Sequence, residues 1–326
     1  MKRFLSALAV SAALVAGAAH AQDKVDPAVI FDMGGKFDKS FNEAAYNGAE
    51  KYKKESGTQY REFEVTQETQ REQALRNMAR RGANVIAVTG FSFTESLKKV
   101  AAEFPNAKFC LIDGVVEAPN VRSTVFKEHE GSFLVGMLAA MESKSGKLGF
   151  VGGMDIPLIR NFLTGYEQGA KHVNPQAEVF ANFAGTTPAA WSDPTRGGEL
   201  AKSQFDRGAD VVYAAAGATG LGVLQSAKDN GKLSIGVDSN QNHLHPGSVL
   251  TSMLKRVDVA VYNCFKDAQG GNWKAGTQAL GLKEEGVGYA LDEHNRPLVS
   301  ADDEKKLEQA KADIIAGKLA VKPVAQ

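Results

Sequence analysis

The chain of 326 residues carries 38 Lys and Arg against 38 Asp and Glu, with 43% hydrophobic residues and two cysteines. Balanced charge excludes a dominant electrostatic attraction to nucleic acid or to an anionic membrane. Two isolated cysteines are too few to build a metal centre of their own.

The first element is a leader. Lys2 and Arg3 precede the small apolar run FLSALAVSAALVAGAA, which ends at Ala19-His20-Ala21. A basic n-region, an apolar h-region and an A-x-A site predict export and cleavage after Ala21. The run is shorter than the roughly 20 residues that a membrane span needs. With no cysteine near the cleavage point, a lipid anchor is not expected, and a periplasmic chain beginning at Gln22 is. The roughly 305 residues that follow suffice for one large or two ordinary domains.

From Val29 the pattern alternates. Strand VIF leads through DMGGKFDKSFN into a helix over NEAAYNGAEKYKKESG, then strand REFEV. A helix over REQALRNMARRG, strand NVIAVTG, a helix over TESLKKVAAEF and strand KFCLIDG follow. Short apolar strands separated by amphipathic helices predict a doubly wound parallel sheet. The series then recurs. KLGFVGGMDIPLIRNFLTGYEQGAKHVNP answers the opening strand, loop and helix, Arg207-Gly208-Ala209 answers Arg81-Gly82-Ala83, and Asp238 answers Asp113. The fold class is therefore α/β, with two doubly wound parallel-sheet lobes joined by a hinge. Stretches 121–132 and 243–256 read as linkers. The division expected is a leader over 1–21, lobe one over 22–125 plus 251–285, and lobe two over 126–250 plus 286–326. Ligand would sit where the carboxyl ends of the two sheets face each other. Cys110 and Cys264 each lie in an apolar run and are read as buried free thiols, although export permits a disulfide.

The glycines after the first strand suggest a phosphate loop, but its carboxylates argue against an anion. DMGGKFDKSFN, GFVGGMDIPLIRNF, WSDPTRG, AAAGATGLGVLQSAKD, IGVDSNQ and VLTSMLKRVDVAVY, in that order, resemble the BMP (basic membrane protein, PnrA-like) family. These are substrate-binding proteins of ABC importers with a type I periplasmic-binding-protein fold. The resemblance implies a purine nucleoside or nucleobase ligand, a permease partner in the inner membrane, and no cofactor. A monomer is expected, without nucleic acid, metal or catalytic residues.

It also implies a base held between aromatic rings, for which Phe41 and Trp191 are the candidates. Each has a packing alternative: Phe41 as a staple under its helix, Trp191 as a plug for its loop. Asp32 and Asn42 suit the hydrogen-bonding edge of a base, and Asp38 or Ser40 caps the helix as well. Asp238 and Lys255 suit ribose hydroxyls, with a surface ion pair as the alternative and Arg256 and Asp258 as rivals for it. Asp113 is the equivalent strand end of lobe one. Gly217 permits close backbone approach. Phe91 and Ser92 either touch ligand or turn the chain, and Phe37 is given no role. His129 stands where many relatives are expected to carry an acid or amide. His243 and His245 are read as solvated rather than as metal ligands. Another flat heterocycle, a sensor of the same fold, and a nucleoside hydrolase remain alternative readings.

Overall fold

The computed structural model describes residues 25–324; the expected leader and its cleavage site lie outside the described residues. The chain opens with β1 (Pro27–Phe31), α1 (Phe41–Ser56), β2 (Arg61–Glu64), α2 (Gln70–Arg80), β3 (Val85–Thr89), α3 (Thr94–Glu103), β4 (Lys108–Ile112) and β5 (Val121–Phe126). The series repeats with α4 (Glu128–Glu142), β6 (Lys147–Met154), α5 (Pro157–Val173), β7 (Glu178–Gly185), α6 (Pro194–Asp206), β8 (Val211–Ala215), α7 (Thr219–Asp229), β9 (Leu233–Asp238) and β10 (Val249–Lys255). It ends with α8 (Val257–Gln269), β11 (Gly276–Leu280), β12 (Val287–Tyr289) and α9 (Ala301–Ile315).

One sheet has the order β11-β5-β4-β3-β1-β2 and the other β12-β10-β9-β8-β6-β7. The duplication read in the sequence is thus a duplication in space, strand for strand. Neighbours pair in parallel except β10 with β12. Parallel sheets are covered on both faces, so β1 (PAVIF), β3 (VIAVT) and β8 (VVYAA) are buried throughout.

Half of each expected linker proves to be strand. Val121–Phe126 is β5 and Val249–Lys255 is β10. Both carry Ser and Thr, which blurred the apolar signal, but their buried hydroxyls find partners. Thr251 Oγ1 donates to the Ala290 carbonyl (2.8 Å) and Ser252 Oγ to Asn242 Oδ1 (2.8 Å). Residues 251–255, expected in lobe one, therefore pair with β9 in the second sheet, and the chain returns to lobe one only after Lys255. The crossings lie side by side: the Lys127 N–H donates to the Leu280 carbonyl (2.9 Å), and the Arg256 N–H to that of Gly286 (2.8 Å).

The free thiols expected at Cys110 and Cys264 are instead joined to each other, with Cα atoms 6.2 Å apart. Two buried residues of distant sequence meet because α8 crosses back and lies over β3 and β4. That approach needs a small residue where α8 meets α1: a Cβ on Gly48 would stand 2.1 Å from the Asp258 carbonyl oxygen. In the second lobe α4 and α5 meet as closely. His129 is part of that contact, its backbone lying against Gly165.

Candidate ligand-binding site

The carboxyl ends of β1, β3 and β4 face those of β6, β8 and β9 across a cavity, the place where parallel sheets of this kind take their ligands. The loop after β1 forms one side. Gly34 and Gly35 adopt φ of +122° and +93°, conformations that only glycine takes readily. They turn the chain so that Asp38 comes to lie beneath the start of α1. Its carboxylate accepts from the backbone N–H groups of Ser40 (2.8 Å), Asn42 (3.0 Å) and Glu43 (3.1 Å), so Asp38 caps the helix and Ser40 does not. Burial raises the Asp38 pKa to about 7, against the pull of these three donors.

Capping by Asp38 frees the Ser40 hydroxyl, which reaches across to the other lobe and donates to Asp238 Oδ2 (2.5 Å). Ser239 Oγ donates to the Ser40 carbonyl (2.9 Å) and Gln241 Nε2 to that of Lys39 (3.0 Å). The two lobes are therefore in contact at the start of α1.

Asn42 departs from the role that its side chain suggested. Its Nδ2 donates to the carbonyls of Asp32 (3.1 Å) and Gly35 (3.2 Å), and its Oδ1 accepts from Thr89 Oγ1 (3.1 Å). Both amide protons hold the loop, leaving none for a ligand. Asp32 is held from the far side: Arg71 Nε lies 3.1 Å and Nη2 3.0 Å from Oδ1, and Ser92 Oγ donates to Oδ2.

Asp113 and Asp238, the paired strand ends, share the left-handed backbone with φ of +67° and +63°. Lys255 lies between the lobes with its side chain 2% exposed. Its Nζ is 2.6 Å from Asp113 Oδ2 and 3.0 Å from Glu128 Oε1. The rings of Phe41, Phe126 and Phe162 surround the ammonium at 5.1–5.5 Å. Burial opposes the charge, but Asp113, Glu128 and Asp238 outweigh it and hold the lysine pKa above its usual value. Burial lifts Glu128 to about 7 and Asp238 to about 6, in each case against the attraction of Lys255. Arg256 and Asp258 pair with each other at 2.9 Å, so the surface ion pair that rivalled Lys255 belongs to them.

Trp191 ends a short turn, Pro188–Trp191, and its ring lies on the backbone of β6: a Cβ on Gly153 would be 2.1 Å from ring atom Cζ3. Its Cβ would be 3.4 Å from a Cβ added at Gly34 of the other lobe, and its carbonyl oxygen 3.2 Å from one added at Gly217.

Of the candidate residues, Asp32, Asp38, Phe41, Asn42, Phe91, Asp113, Trp191, Gly217, Asp238 and Lys255 line this one cavity. Ser92 stands behind Asp32 and is absent from the lining. His129 is buried on α4 away from the lining, and burial lowers its pKa. His243 is exposed, its ring 6.3 Å from that of His294. Phe37 is 58% exposed and packs edge-on against Tyr46. Phe162, Arg71 and Glu128 are not among the candidates that the sequence offers. The first was detectable, because the echo GGMDIPLIRNF also places an aromatic beyond a glycine pair. Arg71 and Glu128 lie among charged helix residues, and no local signal separates them from a solvated face.

Residues 26–322 match the family model described as Bmp, ABC transporter substrate-binding protein PnrA-like. The chain belongs to this family. It is 36% identical to an uncharacterized lipoprotein of Pyrococcus abyssi over 82% of this chain and 69% of that one. Basic membrane protein A of Borreliella afzelii is 32% identical, with 89% of each chain covered. A solved ABC transporter solute-binding protein from Aeropyrum pernix K1 superposes with a TM-score of 0.84 at 30% identity, covering 93% of this chain and 94% of that one. As a Bmp protein the chain is a substrate-binding component that works with a membrane permease. Among the described residues no helix is long and apolar enough to cross a membrane. The Bmp fold is the two-lobed type I architecture, and the cavity lies where such proteins have their two sheet edges opposed.

Proposed function

We propose that this Bmp protein captures a purine nucleoside or purine base in the interlobe cavity and delivers it, from the periplasm, to an inner-membrane ABC permease. The observation that carries this reading is the composition of the cavity. Phe41 comes from one lobe and Trp191 from the other, while the polar groups beside them are chiefly carboxylates. Two rings suit the faces of a flat heterocycle, and carboxylate oxygens suit N–H and O–H donors. A phosphate would meet Asp32, Asp38, Asp113 and Asp238, and the neighbouring cations Arg71 and Lys255 are already paired. In this reading Asp32 meets the base edge, whereas Asn42 shapes the loop. Asp238 and Lys255 meet the sugar, and the lobes close about the crossings when ligand enters.

We read the site as binding rather than catalytic, because its carboxylates are engaged by Arg71, Ser92, Ser40, Lys255 and backbone N–H groups. The test is mass spectrometry of small molecules released from the purified, denatured protein, followed by calorimetry with inosine, adenosine and adenine. A purine in the released fraction and saturable binding are expected. A different retained compound, with no heat from any purine, would overturn the ligand assignment. Free hypoxanthine formed from inosine would instead make the protein a hydrolase. Osmotic-shock fractionation with intact-mass analysis of the mature chain tests the location and whether a lipid is attached.

A further inference from the structure

Glu128 is the first residue of α4, immediately beyond the crossing from β5, and Lys255 is the last residue of β10, immediately before the crossing to α8. Both belong to the second lobe. The Glu128 side chain is 1% exposed and does not line the cavity. Its contact with Lys255 is an ion pair at 3.0 Å, and among the described residues its carboxylate has no other partner than its own backbone N–H. A buried carboxylate with so little support persists only beside a cation.

The other close counter-ion of Lys255 has a different allegiance. Asp113, at 2.6 Å, ends β4 of the first lobe. The remaining groups around the ammonium are Asp238 at the end of β9, which attracts it without forming an ion pair, and the rings of Phe41, Phe126 and Phe162. When the sheets separate, Asp113 leaves with its strand and the rings of Phe41 and Phe126 move with the same lobe. Glu128 and Lys255 flank two adjacent crossings, the part of a hinge where displacement is smallest.

We propose that Glu128 is a positioning residue: it is the counter-ion that stays with Lys255 through opening and closing, keeping the ammonium charged and aimed into the cleft, while Asp113 is the partner gained on closure. This rests on hinge closure as proposed above. It deepens that reading by dividing the two carboxylates into one permanent and one conformational partner. Losing Glu128 would leave the open form with a buried lysine supported only by Asp238, and so a site no longer poised for its ligand.

The test reads Lys255 directly. In ligand-free protein labelled with lysine 13Cε, the Lys255 resonance is assigned by its loss in Lys255→Met and followed with pH. Glu128→Gln is expected to lower the Lys255 midpoint markedly, and Asp113→Asn to lower it much less. An unchanged midpoint in Glu128→Gln, or equal shifts in the two variants, overturns the proposal. Should Glu128→Gln fail to fold, wild-type protein labelled at glutamate 13Cδ as well suffices. The Lys255 resonance must then shift at whatever pH Glu128 takes up its proton, and a Lys255 resonance blind to that step is equally fatal. With inosine as the probe, Glu128→Gln should bind roughly tenfold more weakly at pH 8. The gap should narrow towards pH 6 as the wild-type carboxylate takes up its proton, and Glu128→Asp should recover part of the loss. A gap independent of pH would reduce Glu128 to a packing role. Failure of wild-type protein to bind inosine would count against the nucleoside reading alone, because the Lys255 titration needs no ligand.

Discussion

Single side chains in this cavity have separable tasks. Phe41 and Trp191 supply ring faces from opposite lobes, so Phe41→Ala or Trp191→Ala should each weaken purine binding by about 1–3 kcal/mol, the usual worth of stacking a base on a ring. Calorimetry checks this, and unchanged affinity in both variants would refute the sandwich. Asp238→Ala should cost adenosine far more than adenine; equal losses would mean that Asp238 holds no sugar. The same residue gives a pH signature. Burial raises its pKa to about 6 in the folded chain, above roughly 4 for an unfolded aspartate. The folded state therefore keeps a proton that the unfolded state releases. This stabilising contribution is fully present below about pH 4 and is lost as pH rises through about 6. Chemical denaturation of wild type and Asp238→Asn should show the wild type losing stability relative to the variant across that window. A gap that stays constant would show that the carboxyl is not shifted. At this scale the sequence was informative where residue type decides chemistry, as at Trp191 and Asp238. It was silent where a partner decides it: Asn42 has the groups to read a base, yet Asp32, Gly35 and Thr89 occupy them.

Among the elements, α8 depends most on contacts distant in sequence. It leaves the second sheet at Lys255, packs on α1, and is joined to β4 through Cys110 and Cys264. Removing a link that closes so long a loop should cost about 3–5 kcal/mol. Urea denaturation of oxidised protein against Cys110→Ser/Cys264→Ser checks this, and equal midpoints would show the link to be dispensable. Elements with pure patterns were readable, since β1, β3 and β8 are unbroken apolar runs. β5 and β10 look like linkers in sequence because their hydroxyls look solvated there, and only tertiary partners make burial acceptable. The thiols look free in sequence for a related reason. Nothing near Cys264 says which face of which sheet its helix will cover.

The whole molecule is two copies of one lobe facing each other, with crossings at one side and contacts from Ser40, Ser239 and Gln241 across the cleft. Ligand that touches both lobes must favour the form in which they approach. Small-angle scattering should therefore show a smaller radius of gyration with saturating inosine than in ligand-stripped protein. Identical profiles would remove hinge closure from the mechanism. The α/β class, the duplication and the family are legible along the chain, and about half of the residues that line the cavity stand among the sequence candidates. Strand periodicity, the repeat and strand-end chemistry are all written locally along the chain. That Cys110 meets Cys264, that Asn42 serves its own loop, and that Lys255 stands between Asp113 and Glu128 emerges only in three dimensions. The first and the last are distances between residues far apart in sequence, set by how helices cross back over sheets, and no local pattern encodes such a distance; Asn42 is held by the shape of its own loop and by Thr89.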